Sequence, residues 1–395
     1  MEKFFADLHI HVGISEKGQW IKIPTSRRLT IQNILNEAAD RKGLDMIGVI
    51  DALSPLVLSD LEDLVQKGLL TLSSGGGYRY LDKITVLLGA EIETVEDIGG
   101  QSHTLVFLPD ISSMQRFSQQ MAKYIRNICL SSQNAHMNLG KLIEIAAEYE
   151  AIVIPAHVFT PHKSLFGVCC ERLENILTEK QVNHISAIEL GLSADSIFAD
   201  RIPELAQFSF LSNSDAHSLD KIAREYNVLA LEAPSFTEFR KACVREAGRK
   251  ITANYGLDPR LGKYHRTFCT ACNGVILQSI DANSQCPYCQ ANKLIKGVFD
   301  RIEEIAAQNT PNHPLHRAPY FYQIPLEFIP GIGKKAMEKL LKEFGTEMSI
   351  IHEVKYADLI ACIGQRLADF IVETRSGQAR IVNGGGGIYG RVVKS

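Results

Sequence analysis

Asp7-Leu8-His9-Ile10-His11, Glu91, His103, His157 and Asp215-Ala216-His217 each stand at or close to the end of an apolar run in the first two-thirds of the chain. Residues 86–90 lead into Glu91, 104–107 follow His103, 152–156 lead into His157 and 208–211 precede Asp215. Side chains alternate along a strand with a period of two, so His9 and His11 share a face and can grip one ion. Asp215-x-His217 repeats the geometry with a carboxylate, a donor mixture suited to zinc, manganese or iron rather than calcium. Each residue taken singly is equally well a surface group or a satisfied core polar. Their recurrence at strand ends is what points to a metal cluster.

Strands that alternate with helices would hold these donors at such intervals. Residues 30–43 read as an amphipathic helix, with Ile31, Ile34, Leu35 and Ala38 at helical spacing, Thr30 as cap and Gly43 as stop. Residues 45–51 then read as a strand, and similar alternation continues to about residue 231. This β-α repetition predicts an α/β fold with a parallel sheet closed, or nearly closed, into a barrel. Reactive groups of such barrels gather at the carboxyl ends of the strands, where most of these donors sit.

The motifs Asp7-Leu8-His9-Ile10-His11, Ile50-Asp51, Gly89-Ala90-Glu91, His103, Pro155-Ala156-His157 and Asn213-Ser214-Asp215-Ala216-His217 resemble, in order, those of the polymerase and histidinol phosphatase (PHP) superfamily. The resemblance spans residues 1–255 and implies a distorted, TIM-like β/α barrel holding two or three divalent ions, zinc, manganese or magnesium, that hydrolyses phosphate esters. It implies that His9, His11, Glu91 and Asp215 hold a first ion, and that Glu91 bridges to a second completed by His103 and His157. At the third position the pattern departs. The superfamily's Ser-Asp-Gly and Thr-Asp-His read here Ser15-Glu16-Lys17 and Ile50-Asp51-Ala52, leaving Glu16, Asp51 and His217 as the expected ligands. Asp215, Glu91, His217 and Asp51 are the expected catalytic set, with Asp7 and Glu189 orienting imidazoles from behind. Paired ions activate water and neutralise charge on a leaving oxygen, so no Ser, Cys or Lys nucleophile is needed. The adjacent Cys169-Cys170 reads as buried packing.

Cys269-Thr270-Ala271-Cys272 and Cys286-Pro287-Tyr288-Cys289 are two Cys-x-x-Cys knuckles at the spacing of a four-thiolate structural zinc site. A closed four-cysteine site has no open position for substrate, so it folds its module and does not catalyse. Arg260, Lys263, His265, Arg266, Lys293 and Lys296 flank it against Asp258 and Asp281, a balance that suits either a phosphate backbone or solvated surface.

Ile329-Pro330-Gly331-Ile332-Gly333-Lys334-Lys335 leads into a helical pattern and resembles a helix-hairpin-helix, and Ile363-Gly364-Gln365-Arg366 resembles a degenerate second copy. Glycines let the backbone approach a phosphate while a helix start offers unpaired amides. Gly331, Gly333, Lys334, Lys335, Gly364 and Arg366 are therefore the expected DNA contacts, made to backbone and not to bases. The expected organisation is a barrel over 1–255, a four-cysteine zinc module over 256–298, a proline-dense linker over 299–325, an all-α tandem helix-hairpin-helix-like domain over 326–376 and a Gly-rich basic tail over 377–395. The tail reads as flexible, disordered or touching nucleic acid.

With 395 residues, 45% of them hydrophobic, the chain can build such a barrel and two small modules. A net charge of -3 is not that of a generally basic DNA binder, so attraction to DNA must come from local patches. No signal peptide or membrane-length run is evident, so a cytoplasmic protein is expected.

The barrel, the paired cysteine knuckles and the stretch from Ala318-Pro319-Tyr320 to Ile329-Pro330-Gly331 are together similar to the endonuclease Q family. That resemblance implies cleavage of DNA on the 5′ side of uracil, hypoxanthine, xanthine or an abasic site, leaving a 3′-hydroxyl and a 5′-phosphate. The damaged nucleotide would be turned out of the stack, with loops 73–80 and 158–167 as candidate pockets. A PHP-type phosphomonoesterase and a non-catalytic DNA-binding scaffold are the alternatives.

Overall fold

A computed structural model describes residues 1–278 and 285–375, together with the backbone of 380–382 and 391–393. Asp281, the glycine run 384–387 and Lys394 lie outside the described residues.

The first half of the chain makes strands β1 (Glu2–Ile10), β2 (Met46–Val49), β3 (Leu70–Leu72), β4 (Tyr78–Tyr80), β5 (Ile84–Val95), β6 (Gln101–Leu108) and β7 (Ile152–Pro155). Two-residue strands β8 (Ile188–Glu189) and β9 (Phe210–Leu211) follow, then β10 (Tyr226–Leu231) and β11 (Lys250–Gly256). β1, β2 and β5 pair in parallel. β5, β6 and β7 pair antiparallel, which the expected all-parallel sheet did not contain. The reason is local: β5 returns directly through a tight turn at Gly99 and Gly100, both at positive φ, with no helix to carry the chain over.

β8 and β9 pair in parallel, and they close the circle. The Ser186 amide donates to the Val153 carbonyl on one side, and the backbones of His9, His11 and Ala216 bond each other on the other. β10 covers only the first half of β1, Glu2 to Ala6, so the second half stays open to Ala216. The result is a distorted β/α barrel. Val49, Val86, Leu88, Val106 and Val153 pack with helix residues Ile34, Leu61, Phe117 and Leu142 in one apolar cluster. Leu8, Ile50, Leu87, Leu105, Phe107, Ile154 and Leu211 form another with Phe239. Thr30 caps the first helix by accepting from the Asn33 amide, and Gly43, at φ +77°, ends the wide π turn that follows.

Beyond the barrel, β12 (Phe268–Cys269) and β13 (Leu294–Ile295) pair antiparallel. The expected linker is structured. Val298–Ile305 is a helix because Val298, Ile302 and Ile305 bury one face, and β14 (Tyr320–Tyr322) joins the main sheet beside β11. Proline density at 311–325 masked this, since an edge strand needs few of its own amides. Helices Lys334–Phe344, Glu347–His352, Tyr356–Ile363 and Gln365–Arg375 then form an all-α unit. The second hairpin copy has both helices around Gly364, whereas the first has only a 3-10 turn, Leu326–Phe328, ahead of Gly331. The first turn packs against the second copy's helix, as a Cβ on Gly331 would lie 2.9 Å from Leu367 Cδ2. In the tail, β15 (Arg380–Val382) and β16 (Arg391–Val393) pair antiparallel.

Candidate metal centre

One barrel rim collects the donors. β1 and β7 end there, β5 passes it at Glu91 and runs on to Val95, and β6 begins there because it runs antiparallel, which is how His103 near a strand start meets His157 just past a strand end. His9, His11 and Asp215 form one group and Glu91, His103 and His157 another, with the ligand atoms in each within 4.8 Å of one another. Glu91 joins the groups. Its Oε1 lies 3.5 Å from His9 Nε2, 2.8 Å from His103 Nδ1 and 3.4 Å from His157 Nε2, and its Oε2 lies 3.7 Å from His11 Nε2. Asp215 Oδ1 stands 3.4 Å from His9 Nε2 and 3.3 Å from His11 Nε2.

Carboxylates behind the rings set their orientation. His9 Nδ1 donates to both oxygens of Glu189 at 3.0 and 3.1 Å, and His11 Nδ1 to both oxygens of Asp51 at 3.2 and 3.1 Å. Each ring therefore turns Nε2 inward. Both Nε2 atoms are buried without a hydrogen-bond partner, an arrangement that costs free energy unless an ion takes the lone pair. Burial opposes charge on these groups, yet Glu189 and Asp215 hold His9 well above the usual imidazole range, and His103 and Lys22 hold Glu91 well below the usual carboxylate range. A divalent ion would replace those protons. The residues present fit the metals that the fold implies.

Four expected site residues take other places. Asp51 stands behind His11 and belongs to neither donor group: besides His11 it accepts from the Val12 amide at 2.6 Å and from the Ser131 hydroxyl. Glu16 accepts from the Gln32 amide at 2.8 Å and belongs to neither donor group. Asp7 accepts from the amides of Ser214 and Ala223, so it fixes the Asp215 loop and no imidazole, and burial pushes it up to about 6. His217 lies at the edge, its ring 4.6 Å from that of His11, its Nδ1 on the Asp215 carbonyl; burial pushes it down to about 4.

Other residues were missed. Glu93 pairs across the strands with His103 and accepts from its Nε2; burial raises its pKa, but bonds from His103 and Lys163 hold it at about 2. The Glu91-Ile92-Glu93 spacing, two apart on one strand, was its available signal. Lys22 and Ser132 reach Glu91 from loops 69 and 41 residues away in sequence, with no local signal. His157 and Asp215 sit at φ +31° and +45°, strained backbone held at the site. Gly191, at φ +80°, leaves room for His157, whose Cβ a side chain there would approach to 2.8 Å.

A cavity of about 540 Å³ opens over the cluster, lined by His11, Glu91, His157 and Asp215 and by the cations Lys22, Lys163, Lys221, Arg224 and Lys263. Loop 157–167 lines it through Thr160, His162 and Lys163. Loop 73–77 does not: its backbone bonds Pro109, Phe236 and Thr237, and it lines separate cavities with the helix Phe236–Val244. Lys263 and Tyr264 precede the cysteine knuckles, and His162 meets Tyr264 ring edge to ring face at 5.6 Å. The knuckles place Cys269 Sγ 3.7 Å from Cys289 Sγ and Cys272 Sγ 3.7 Å from Cys286 Sγ. Tetrahedral zinc with Zn–S of about 2.3 Å spaces its sulfurs by about 3.8 Å. The four thiols fit zinc.

In the helical unit Gly333 is extended and caps the helix Lys334–Phe344 without a side-chain bond, beside exposed Lys334 and Lys335. Gly364, at φ +81°, precedes exposed Arg366. No helix among the described residues is long and apolar enough to cross a membrane.

No family model matches the chain. The protein YqxK of Bacillus subtilis (strain 168) is 42% identical over 397 residues, covering 99% of this chain and 100% of YqxK. The crystal structure of the lesion-specific endonuclease PfuEndoQ from Pyrococcus furiosus has a TM-score of 0.83 at 31% identity, covering 99% of this chain and 95% of its own. Endonuclease Q in complex with a 27-mer duplex substrate bearing an abasic lesion at the active site gives 0.84 at 31% identity, covering 100% and 97%. With that identity and fold sustained over nearly the whole of both chains, this chain belongs to the endonuclease Q family and is a metal-dependent endonuclease.

Proposed function

We propose that the protein hydrolyses DNA at the phosphodiester 5′ to a deaminated base (uracil, hypoxanthine or xanthine) or an abasic site, leaving a 3′-hydroxyl and a 5′-phosphate. The observation that carries this reading is the junction at Glu91, where two donor groups share one carboxylate beneath a cavity rimmed by cations. One divalent ion would sit among His9, His11 and Asp215, a second among Glu91, His103 and His157, and a structural zinc among Cys269, Cys272, Cys286 and Cys289. Bound ions there supply an activated water and charge neutralisation at the leaving oxygen. The chain's own residues do the rest. Glu189 and Asp51 hold the imidazoles of His9 and His11 in one tautomer, and Lys163, Lys221 and Lys263 attract the phosphate backbone. His162, Thr160 and Tyr264 border the space for an extruded nucleotide. The four-cysteine unit and the helical unit are DNA-holding appendages, the latter through the first amides of the helices Lys334–Phe344 and Gln365–Arg375 and the charges of Lys334, Lys335 and Arg366. The abasic duplex in the similar endonuclease Q complex supports the substrate class.

The test is incubation with manganese, magnesium or zinc and end-labelled duplexes carrying one uracil, hypoxanthine, xanthine or abasic site, beside undamaged duplex and an Asp215→Ala variant. A single cut immediately 5′ of the lesion, lost in the variant, supports the proposal. Intact DNA under every metal condition refutes it, and turnover of small phosphomonoesters instead would favour the phosphatase reading.

A further inference from the structure

The two oxygens of Glu91 keep different company. Oε1 faces His9, His103 and His157, while Oε2 receives a hydrogen bond from Lys22 Nζ at 2.9 Å and another from the Ser132 hydroxyl. Lys22 also donates to Ser132, its side chain is only 12% exposed, and it lines the cavity over the cluster. Its backbone is fixed on both sides: the Ile21 and Lys22 amides donate to the Gly13 carbonyl, and the Thr25 hydroxyl donates to the Lys22 carbonyl. The ammonium is thus delivered to the metal centre from a built loop.

Among the described residues, no third donor group forms on this side of the centre. Asp51 is consumed by His11, Val12 and Ser131, Glu16 is bonded to Gln32, and the residue after Asp51 is the buried methyl of Ala52. Lys22 sets positive charge beside Glu91, one of the carboxylates, with Glu189 and Asp215, that line the cavity an anionic phosphodiester would enter. An ammonium has three protons and behaves as a compact point charge toward phosphate. Two of its protons go to Glu91 and Ser132, leaving one for the cavity.

We propose that Lys22 is the third cation of this centre, beside the two ions its donor groups would hold, and that its ammonium holds a non-bridging oxygen of the scissile phosphate. The inference rests on the phosphodiesterase reading of the barrel. It assigns Lys22 no covalent step.

The experiment uses the full-length, metal-loaded chain with Lys22→Met and Lys22→Arg, and reads metal content by mass spectrometry, inorganic phosphate affinity by calorimetry, and cleavage of an abasic duplex. Wild type should carry two barrel ions and one at the cysteines. Lys22→Met should keep that content while binding phosphate about 10–100-fold more weakly, the worth of a charged hydrogen bond. Its kcat/KM should fall with the phosphate affinity, and Lys22→Arg should recover part of both. A third barrel ion in wild type, metal loss in Lys22→Met, or phosphate affinity within about threefold of wild type would each overturn the proposal. Should the wild type cut no DNA, the proposed function falls, and the metal and phosphate readouts still decide the role of Lys22.

Discussion

His9 shows how little a ligand's own identity settles. Its Nδ1 is held by Glu189, its Nε2 is buried and unpaired, and Glu189 also accepts from the His157 amide at 2.9 Å. One carboxylate therefore places a residue in each donor group. Burial raises the Glu189 pKa, but His9 outweighs it and keeps the carboxylate ionised. Glu189→Gln should lower barrel metal affinity by about 10–100-fold with the fold intact, as such orienting partners usually do. Competition against a chromophoric chelator checks this, and an affinity equal to wild type would remove the positioning role. Asp51 carries the same lesson in reverse: a strand-end acid was expected to ligate and instead orients His11, with the Val12 amide and the Ser131 hydroxyl also donating to it.

Among the elements, β10 and β11 bury an acid that the chemistry does not use. Glu225 stands just ahead of β10 and accepts from the Leu257 amide at 2.8 Å, while its other oxygen is buried unpaired. Burial pushes its pKa from 4.5 up to about 8. The folded state then keeps a proton that the unfolded chain releases, so stability is full below about 4.5 and falls as pH rises to about 8. Glu225→Gln should flatten this decline and leave the variant the more stable at pH 8, read from denaturant midpoints across that range. A decline unchanged in the variant would acquit Glu225. The helix Lys334–Phe344 carries a second element-scale expectation. Replacing Lys334 and Lys335 by alanine should weaken DNA binding uniformly across sequences and reduce the salt slope by about 2. An unchanged slope, measured by fluorescence anisotropy at several salt concentrations, would place the DNA elsewhere.

Across the whole molecule, the helical unit is fastened to the barrel by charge and rings together. Lys42 donates to both oxygens of Glu347 at 3.0 Å, Arg41 adds a contact at 3.3 Å, and His352 stacks on Phe5 while bonding the Tyr226 hydroxyl at 2.7 Å. The Lys42 and Glu347 side chains are 4% and 8% exposed. Removing one partner of such a pair leaves a buried charge, a loss of about 3–5 kcal/mol. Glu347→Ala should therefore free the helical unit to unfold first. Far-ultraviolet circular dichroism, which sees every helix, should then separate from the fluorescence of Trp20, the chain's single tryptophan, which lies in the barrel. Coincident transitions at the wild-type midpoint would contradict the prediction.

Donor types, their place at strand ends and the paired cysteine knuckles were legible in the sequence because they are local: a period of two and a fixed Cys-x-x-Cys spacing survive any arrangement of the rest. The barrel itself was legible to the extent that strands and helices alternate. The antiparallel direction of β6 and the three-residue edge strand β14 were not, since the direction is set by the turn ahead of β6 and β14 is too short and proline-flanked to carry a period. Nor were the roles of Lys22, Ser131, Ser132, Asp51 and Asp7. A role at this site depends on which neighbour takes each lone pair or proton, and those neighbours come from loops tens to hundreds of residues apart that only the closed barrel brings within a hydrogen bond.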